Sequence, residues 1–193
     1  MALTGGIGAG KSTALAAVER LGAAVLSTDQ VVHELYQSAE VRDAVVARFG
    51  ASVAPEGRID RAELARRAFA TAEDRAWLEG LLWPRVGARI ATWRESLEER
   101  AKPPRAAVVE VPLLFESGME TAFDATIAVV ADERVRAQRA SGRGHQALEE
   151  RAARQLSQQE KAGRATYVVE NDGTEQQLEA ELSSVLDMLE VRT

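Results

Sequence analysis

The chain has 193 residues, of which 24 are Lys or Arg and 30 are Asp or Glu, so its formal charge is −6. With no cysteine and only two histidines, it cannot build a disulfide framework, a thiolate nucleophile or a multi-histidine metal site. The acidic balance argues against nucleic acid or an anionic membrane as a partner.

The first residues are predicted to form a strand, a glycine-rich loop, a helix and a second strand. Residues 2–4 indicate the end of a short strand, and apolar side chains recur at helical spacing over residues 12–21. Residues 24–26 form another short apolar run that predicts a strand. A strand, helix and strand in this order are typical of the beginning of a parallel α/β sheet.

The sequence changes character after the second strand. Residues 32–100 are rich in Ala, Leu, Arg and Glu at helical spacing, and Pro84 predicts a helix boundary. The remaining predictions are strands over residues 106–111, 125–131 and 167–170, and helices over residues 133–164 and 174–189. No apolar run approaches the roughly 18 residues of a membrane span, and the first residues do not show the charged-then-apolar layout of a secretion signal, so we expect a cytoplasmic protein. We also expect a monomer or a weak oligomer.

A phosphate-binding loop is the strongest motif in the chain. Residues 5–12, GGIGAGKS, fit the pattern G-x-x-x-x-G-K-[ST] between a predicted strand and a predicted helix. In this pattern backbone N–H groups converge on phosphate oxygens, the lysine reaches the β and γ phosphates, and the serine hydroxyl ligates Mg²⁺. The alternative is a glycine turn that happens to precede a helix. The predicted nucleotide-binding residues of the loop are Gly6, Ile7, Gly8, Ala9, Gly10, Lys11, Ser12 and Thr13.

The identity of the loop's cation supports this interpretation. Only three of the 24 basic residues are lysines, and Lys11 is one of them. A compact ammonium fits among phosphate oxygens where a planar guanidinium is too broad. We therefore expect positive charge to be concentrated at Lys11, the loop amides and the arginines after residue 131, against a negative remainder of the chain.

The absence of certain motifs and the short length of the chain exclude several classes of phosphate-loop protein. The GTPase motifs D-x-x-G and N-K-x-D do not occur. A chain of this length also leaves no room for a motor or a helicase. The pattern therefore favours a kinase that acts on a small molecule.

Three carboxylates follow predicted strands. Asp29 comes just after the second strand, at the sheet edge where α/β proteins bind ligands, and is a candidate base for an acceptor hydroxyl. The alternative is that Asp29 caps the following helix. Glu110 ends the next strand and is a candidate magnesium ligand. Glu116, a few residues later, is a weaker candidate whose alternative is a solvent-facing side chain.

Basic residues follow the strand predicted at 125–131, and they are Arg134, Arg136, Arg139 and Arg143. Arg139 and Arg143 are four residues apart and share one helical face if the helix persists. We predict that this pair closes over the transferring phosphate and neutralises charge in the transition state. The alternative is a solvated basic surface.

In combination, the motifs resemble one family over nearly the whole chain. The matching positions, in order, are LTGGIGAGKST at 3–13, Asp29, GRIDR at 57–61 with Leu64 and Phe69, LWP at 82–84, VPLLFE at 111–116, Arg139 with Arg143, and residues 158–161 and 167–173. The loop is shared by many kinases, whereas the string at 111–116 in order with the others is far more specific. The chain is similar to the dephospho-CoA kinases, the last enzymes of coenzyme A synthesis.

The resemblance implies a three-layer α/β phosphate-loop kinase fold with a five-stranded parallel sheet, a helical acceptor-binding insertion and a lid. The expected segments are a nucleotide-binding core over residues 1–32, 103–137 and 165–193, an insertion over 33–102 and a lid over 138–164. The implied reaction transfers the ATP γ-phosphoryl group to the 3′-hydroxyl of the dephospho-CoA ribose, with Mg²⁺. No nucleic-acid or membrane partner is expected.

The resemblance also implies the roles of individual residues. The expected catalytic residues are Asp29 as general base, Lys11, Arg139 and Arg143. The residues expected to contact the acceptor are Asp29, Leu113, Phe115 and Glu116. Asn171 is expected to join the loop in binding the nucleotide, and Ser12 and Glu110 to ligate the metal.

Three positions depart from the family's pattern. Ser27 stands at the first position of a usual Asp-Ala-Asp, Trp83 replaces a usual His before Pro, and Thr166 replaces a common Asp before the last strand. Two alternatives stay open: a kinase of another hydroxyl, such as a nucleoside, nucleotide or shikimate-like acceptor, and a nucleotide-binding regulatory module. The string at 112–116 and the long insertion argue against the first, and Asp29 argues against the second.

Overall fold

Five short parallel strands form one sheet in the computed structural model, which describes residues 1–140 and 155–190. The strands are β1 (Ala2–Gly5), β2 (Ala24–Ser27), β3 (Ala107–Glu110), β4 (Thr126–Val130) and β5 (Tyr167–Glu170). They lie side by side in the order β2-β3-β1-β4-β5, and every pairing is parallel. The predicted five-stranded parallel sheet is therefore confirmed, with the strand that precedes the glycine loop at its centre.

Helices connect the strands and make up most of the chain between β2 and β3. They are α1 (Lys11–Arg20), α2 (Thr28–Leu35), α3 (Ala39–Phe49), α4 (Arg61–Ala68), α5 (Ala72–Glu98), α6 (Glu133–Ala140), α7 (Gln158–Arg164) and α8 (Glu175–Glu190). Short 3₁₀ turns occur at Ala51–Val53, Pro55–Gly57 and Met119–Ala122. Among the helices that the structure describes, none has the length and apolar character that a membrane span requires.

The chain divides into two compact units, and the first contains the sheet. It comprises Met1–Ser27 and Leu97–Thr193. All of β1 is buried, and Leu3 belongs to one apolar cluster with Val18 of α1 and Leu182 of α8. Because side chains alternate between the faces of a strand, Thr4 points to the opposite face, where Lys161 of α7 meets it. Helices thus lie on both faces of the sheet, which gives the expected three layers.

The second unit, Thr28–Ser96, is helical and has an apolar core of its own. The buried members of this core are Val41, Val45, Phe49, Val53, Leu64, Ala68, Leu78 and Leu82. At its edge the Phe49 and Trp77 rings meet edge to face with centroids 5.5 Å apart, a geometry that aromatic pairs prefer. The prediction that this part of the chain is helical and free of strands is confirmed.

Ion pairs stabilise the surface of α4 in the second unit. Glu63 accepts hydrogen bonds from the guanidinium groups of Arg66 and Arg67, each at 2.7 Å. These bonds, with that of Arg66 the larger cause, lower the pKa of Glu63 from 4.5 to about 2. The Glu63 carboxylate therefore stays ionised well below its usual range of pH.

The prediction of a helix boundary at Pro84 is wrong, because this residue lies inside α5. A proline nitrogen has no hydrogen to donate to the carbonyl four residues earlier, which here belongs to Gly80. Helix-favouring Ala, Leu, Arg and Glu residues on both sides continue the helix despite this missing bond. Local composition therefore outweighs the single proline.

The helix predicted over residues 133–164 is interrupted at 155–157, where the chain is not helical. Ser157 caps α7 in a reciprocal capping box with Glu160: its hydroxyl accepts from the Glu160 N–H, and the Glu160 carboxylate accepts from the Ser157 N–H. Such a box satisfies free donors at a helix start and so begins a new helix here. Residues 141–154 lie outside the described part of the chain.

Candidate functional site

The glycine loop between β1 and α1 packs so closely against two neighbouring segments that side chains do not fit there. Gly8 has a φ of +76°, and a Cβ at this position would lie 2.5 Å from the carbonyl oxygen of Arg136. Gly10 has a φ of +91°, and a Cβ there would lie 2.0 Å from the side-chain nitrogen of Asn171. Both the left-handed backbone and the close approach require glycine.

Lys11 begins α1 and folds its side chain back over the loop. Its Nζ donates to the carbonyl oxygens of Gly5 at 3.0 Å and Gly6 at 3.1 Å. The first N–H groups of α1 have no acceptor within the helix and carry partial positive charge. Ser12 follows in the first turn and is exposed. An ammonium, helix amides and a hydroxyl therefore meet at one helix end, an arrangement suited to phosphate.

Asn171 supports the loop from the turn that follows β5. Its side-chain Nδ2 donates to the carbonyl oxygen of Ala9 at 2.8 Å, and its own backbone N–H donates to that of Val130 at 2.8 Å. Both Asn171 and Ala9 are buried. The Asn171 side chain therefore holds the backbone of the loop in place. A contact between Asn171 and a nucleotide stays a prediction.

Two arginines of α6 reach the same loop. The Nε of Arg136 donates to the carbonyl oxygen of Ile7 at 3.0 Å, and Nη1 of Arg139 donates to that of Asn171 at 3.0 Å. The predicted site residues of this run are Arg139 and Arg143, and Arg136 is not among them. The signal was available, because Arg136 and Arg139 are three residues apart and share a helical face. Arg143 lies outside the described residues.

A cavity of about 530 Å³ opens beside the loop. Gly6 and Ile7 line it together with Arg136, and residues 155–159 line it from the start of α7. Cavities of this size hold small molecules. The cavity therefore offers room next to the candidate phosphate site.

The carboxylate of Glu110 lies at the carboxyl end of β3, beside β1 in the sheet. Its register partner on β2 is Ser27, whose hydroxyl donates to the Glu110 carboxylate at 2.8 Å. Glu110 is largely buried, so this bond orients a carboxylate that has limited contact with water. Within residues 1–140 and 155–190, no group of three or more His, Cys, Asp or Glu side chains could hold a metal ion. The metal-binding roles of Ser12 and Glu110 stay predictions.

Asp29 is exposed and lies in the first turn of α2. The alternative that it caps the helix is wrong, because α2 begins at Thr28 and so includes Asp29. A carboxylate at this position is favoured by the partial positive charge of the helix start. Its role as a general base stays a prediction.

Glu116 is paired with a buried cation, so the alternative that it faces solvent is wrong. Its Oε1 lies 2.9 Å from Nζ of Lys161 and accepts the backbone N–H of Leu156 at 2.8 Å. Lys161 has no exposed surface. Burial lowers the pKa of Lys161, and the hydrogen bond and charge of Glu116 oppose that shift. Lys161, the partner of Glu116, is not among the residues predicted from the sequence to belong to the site.

The other two residues predicted to contact the acceptor molecule differ in exposure. Leu113 is 38 % exposed, whereas Phe115 is buried, with the guanidinium of Arg164 4.7 Å from its ring centroid. Of the two, only Leu113 thus offers a sizeable apolar surface to a ligand.

Comparison with known proteins agrees with this arrangement. A family model described as dephospho-CoA kinase matches residues 1–177. The chain belongs to the dephospho-CoA kinase family. A dephospho-CoA kinase of Deinococcus radiodurans is 38 % identical over 196 residues, covering 99 % of this chain and 92 % of that protein.

Solved structures of similar proteins have the same fold. A crystal structure of a Thermus thermophilus protein superposes with a TM-score of 0.73 at 34 % identity, covering 97 % of this chain and 96 % of that one. A dephospho-CoA kinase structure from Campylobacter jejuni has a TM-score of 0.68 at 25 % identity, covering 97 % and 95 %. The resemblance inferred from the motifs is thereby confirmed.

At two of the three positions where this member of the dephospho-CoA kinase family departs from the pattern, the side chain makes a hydrogen bond to a neighbouring strand. Ser27 holds the Glu110 carboxylate, as described above. Thr166 pairs with Thr126: each backbone N–H donates to the other's hydroxyl, at 2.9 and 3.1 Å. Trp83 lies in α5 and is 42 % exposed. Thr166 and Ser27 thus connect neighbouring strands through hydrogen bonds.

Proposed function

We propose that the protein transfers the γ-phosphoryl group of ATP to the 3′-hydroxyl of the dephospho-CoA ribose, producing coenzyme A and ADP. The observation that carries this proposal is the glycine loop with Lys11 over it, in a chain whose family match extends over residues 1–177. Membership of a kinase family makes the protein a phosphotransferase with an alcohol acceptor.

The loop and the start of α1 would hold the triphosphate. The Lys11 ammonium lies about 3 Å from the loop carbonyls and needs only a rotation of its own side chain to reach phosphate oxygens instead. Backbone N–H groups of the loop and of the first turn of α1 would add further donors to the phosphate oxygens.

Asp29 would act on the acceptor. In the chain it follows the carboxyl end of β2 by two residues, and its exposed carboxylate can accept a proton. A bond forms between the ribose 3′ oxygen and the γ phosphorus while the bond from that phosphorus to the β–γ bridging oxygen breaks. The hydroxyl proton passes to Asp29, and ADP leaves with the bridging oxygen.

Arginines would offset the negative charge that spreads over the transferring group. Arg139 and Arg143 are the proposed lid residues, and Arg136 joins them because its guanidinium already contacts the loop at Ile7. Guanidinium groups suit this task since they present several donors in a plane and stay charged at all working pH values.

Ser12 and Glu110 are the residues that would hold Mg²⁺. Both present oxygen donors, which this hard cation prefers, and Mg²⁺ is commonly bound through one or two protein groups plus substrate phosphates. When bound, the ion neutralises charge on the β and γ phosphate oxygens. The Ser27 hydroxyl contributes by orienting the Glu110 carboxylate.

The remaining segments complete the proposal. Residues 33–102 would form an acceptor-binding insertion, residues 138–164 a lid, and the other segments the nucleotide-binding core. Leu113, Phe115 and Glu116 would contact the acceptor. We further propose that the protein is cytoplasmic and that it is a monomer or a weak oligomer. Sedimentation of the purified protein measures the oligomeric state.

The test is ADP release from Mg-ATP in the presence of single acceptors. The panel contains dephospho-CoA, adenosine, AMP and shikimate, and the Lys11→Ala variant is the matched control because it removes the loop cation. We expect ADP release that depends on dephospho-CoA and on Lys11. Release with a different acceptor would establish another small-molecule kinase, and tight ATP binding with no acceptor-dependent release would establish a regulatory module.

A further inference from the structure

Lys161, which has no exposed surface, lies next to the carboxyl ends of the adjacent strands β1 and β3. Nζ of Lys161 donates to the carbonyl oxygen of Pro112 at 2.7 Å and to the hydroxyl of Thr4 at 3.5 Å, and pairs with Glu116 at 2.9 Å. Thr4 is in β1, directly before the glycine loop, and Pro112 follows β3. One ammonium therefore joins the segments that leave β1 and β3.

The shorter contacts of Lys161 go to one segment, residues 112–116. This segment follows the carboxyl end of a parallel strand, the sheet edge at which α/β proteins bind ligands. Lys161 holds it at both ends, through the Pro112 carbonyl and the Glu116 carboxylate. Glu116 extends the contact to the N–H of Leu156, two residues before α7. The segment is thus held by contacts to a buried residue, while Leu113 within it remains partly exposed.

The choice of lysine at this position is informative. Arginine supplies 21 of the 24 basic residues of the chain, so a lysine here departs from its usual preference. A tetrahedral ammonium can direct three donors at three oxygens that converge in a small space, whereas a guanidinium spreads its donors in a wide plane. Burial of a cation is also costly unless it is paired. The site is therefore built for a compact charge with these three partners.

We infer that Lys161 and Glu116 form a positioning pair that fixes the 112–116 segment beside the phosphate loop and thereby sets the placement of the acceptor. This inference rests on the proposed function for the identity of the acceptor. The pair does not contact the nucleotide loop by its short bonds, so it acts on the acceptor more than on ATP. Small displacements of a reacting group reduce rates steeply, which makes such fixation matter for turnover.

The experiment uses the full chain and measures kcat, KM for dephospho-CoA, the ATP dissociation constant and the melting temperature. Lys161→Met removes the cation, and the double variant Lys161→Met/Glu116→Gln removes both charges so that no unpaired carboxylate is left buried. Lys161→Arg keeps the charge but changes its shape. Arg20→Met/Glu179→Gln is the matched control, because it removes an exposed ion pair between α1 and α8 of the same unit.

For the double variant we expect kcat/KM for dephospho-CoA to fall about 10- to 100-fold while the ATP dissociation constant stays within about threefold of that of the parent protein. Lys161→Arg should not restore kcat/KM, and Arg20→Met/Glu179→Gln should match the parent. Parent-like kcat/KM in a folded double variant would overturn the inference. An equal loss of ATP affinity would also overturn it, because the pair would then support the whole unit rather than the acceptor side.

Hydrogen exchange provides a readout that does not depend on the acceptor. In the double variant, amides of residues 113–117 should exchange at least about tenfold faster, while those of residues 5–12 should keep their rates. Unchanged exchange at 113–117 contradicts the positioning pair even if the parent proves to use another acceptor. Failure of the parent to release ADP with dephospho-CoA contradicts the proposed function alone.

Discussion

Replacing Asn171 by alanine tests how the phosphate loop keeps its shape. The Asn171 side chain donates to the Ala9 carbonyl oxygen at 2.8 Å, and both residues are buried. Alanine leaves that carbonyl without this donor in a place that water reaches poorly. A buried polar group that loses its partner costs about 1–3 kcal/mol.

The two possible responses of the loop have different signatures. A loop that keeps its shape bears the cost as lost stability, and for a chain of this size the melting temperature falls by about 2–4 °C for each kcal/mol. A loop that relaxes must be restored by ATP, so affinity falls by about 5- to 150-fold for the same range of free energy. We expect both effects, since the contact is to the backbone of the loop itself.

The assay combines thermal unfolding with ATP titration of the same samples. Thr174→Ala is the control: its hydroxyl accepts the N–H of Gln177 at the start of α8, away from the loop, so it should lower stability but leave ATP affinity unchanged. Unchanged melting and unchanged affinity in Asn171→Ala would refute the reasoning. Loss of affinity with parent-like stability would mean that the loop relaxes in the variant and that ATP must restore its shape.

Asp29→Asn should lower kcat by about 100-fold or more while ATP affinity changes little, because a general base typically contributes that much; near-normal turnover would remove Asp29 from this role. Gly8→Ala should weaken ATP binding, because its Cβ would lie 2.5 Å from the Arg136 carbonyl oxygen at a φ of +76°. Titration of ATP against both proteins checks this, and equal affinity would contradict it. Glu63→Gln should lower stability at pH 7, and the difference should shrink as the pH falls from about 4.5 towards 2, since the pKa of Glu63 is depressed in the folded protein. Melting curves of both proteins across this pH range check this prediction. A stability difference that persists at pH 2 would contradict the depressed pKa of Glu63.

The strands were predictable because each leaves a strong local signal. Strands covered on both faces are continuous apolar runs, and residues 106–111 and 125–131 are runs of this kind. The glycine loop was predictable for a similar reason, since its function needs fixed residue types at fixed spacing. The expectation that a proline marks a helix boundary failed at Pro84, where a long run of helix-forming neighbours outweighs one missing hydrogen bond.

The contacts that brace the site could not be predicted in the same way. Asn171 reaches Ala9 across 162 positions, Arg136 reaches Ile7 across 129, and Lys161 reaches Thr4 across 157. The order β2-β3-β1-β4-β5 determines which strand ends are neighbours, and register determines which side chains meet. No pattern within a short window carries this information.

The sequence by itself therefore determined the fold class, the family and the phosphate loop, because these depend on periodicity and on residues close together in the chain. The tertiary structure alone decided that Asn171 and Arg136 support the loop and that Glu116 is paired with a buried lysine. The physical reason is that a buried charge or carbonyl must find its partner in space. Strand order and register bring these partners together from distant parts of the chain.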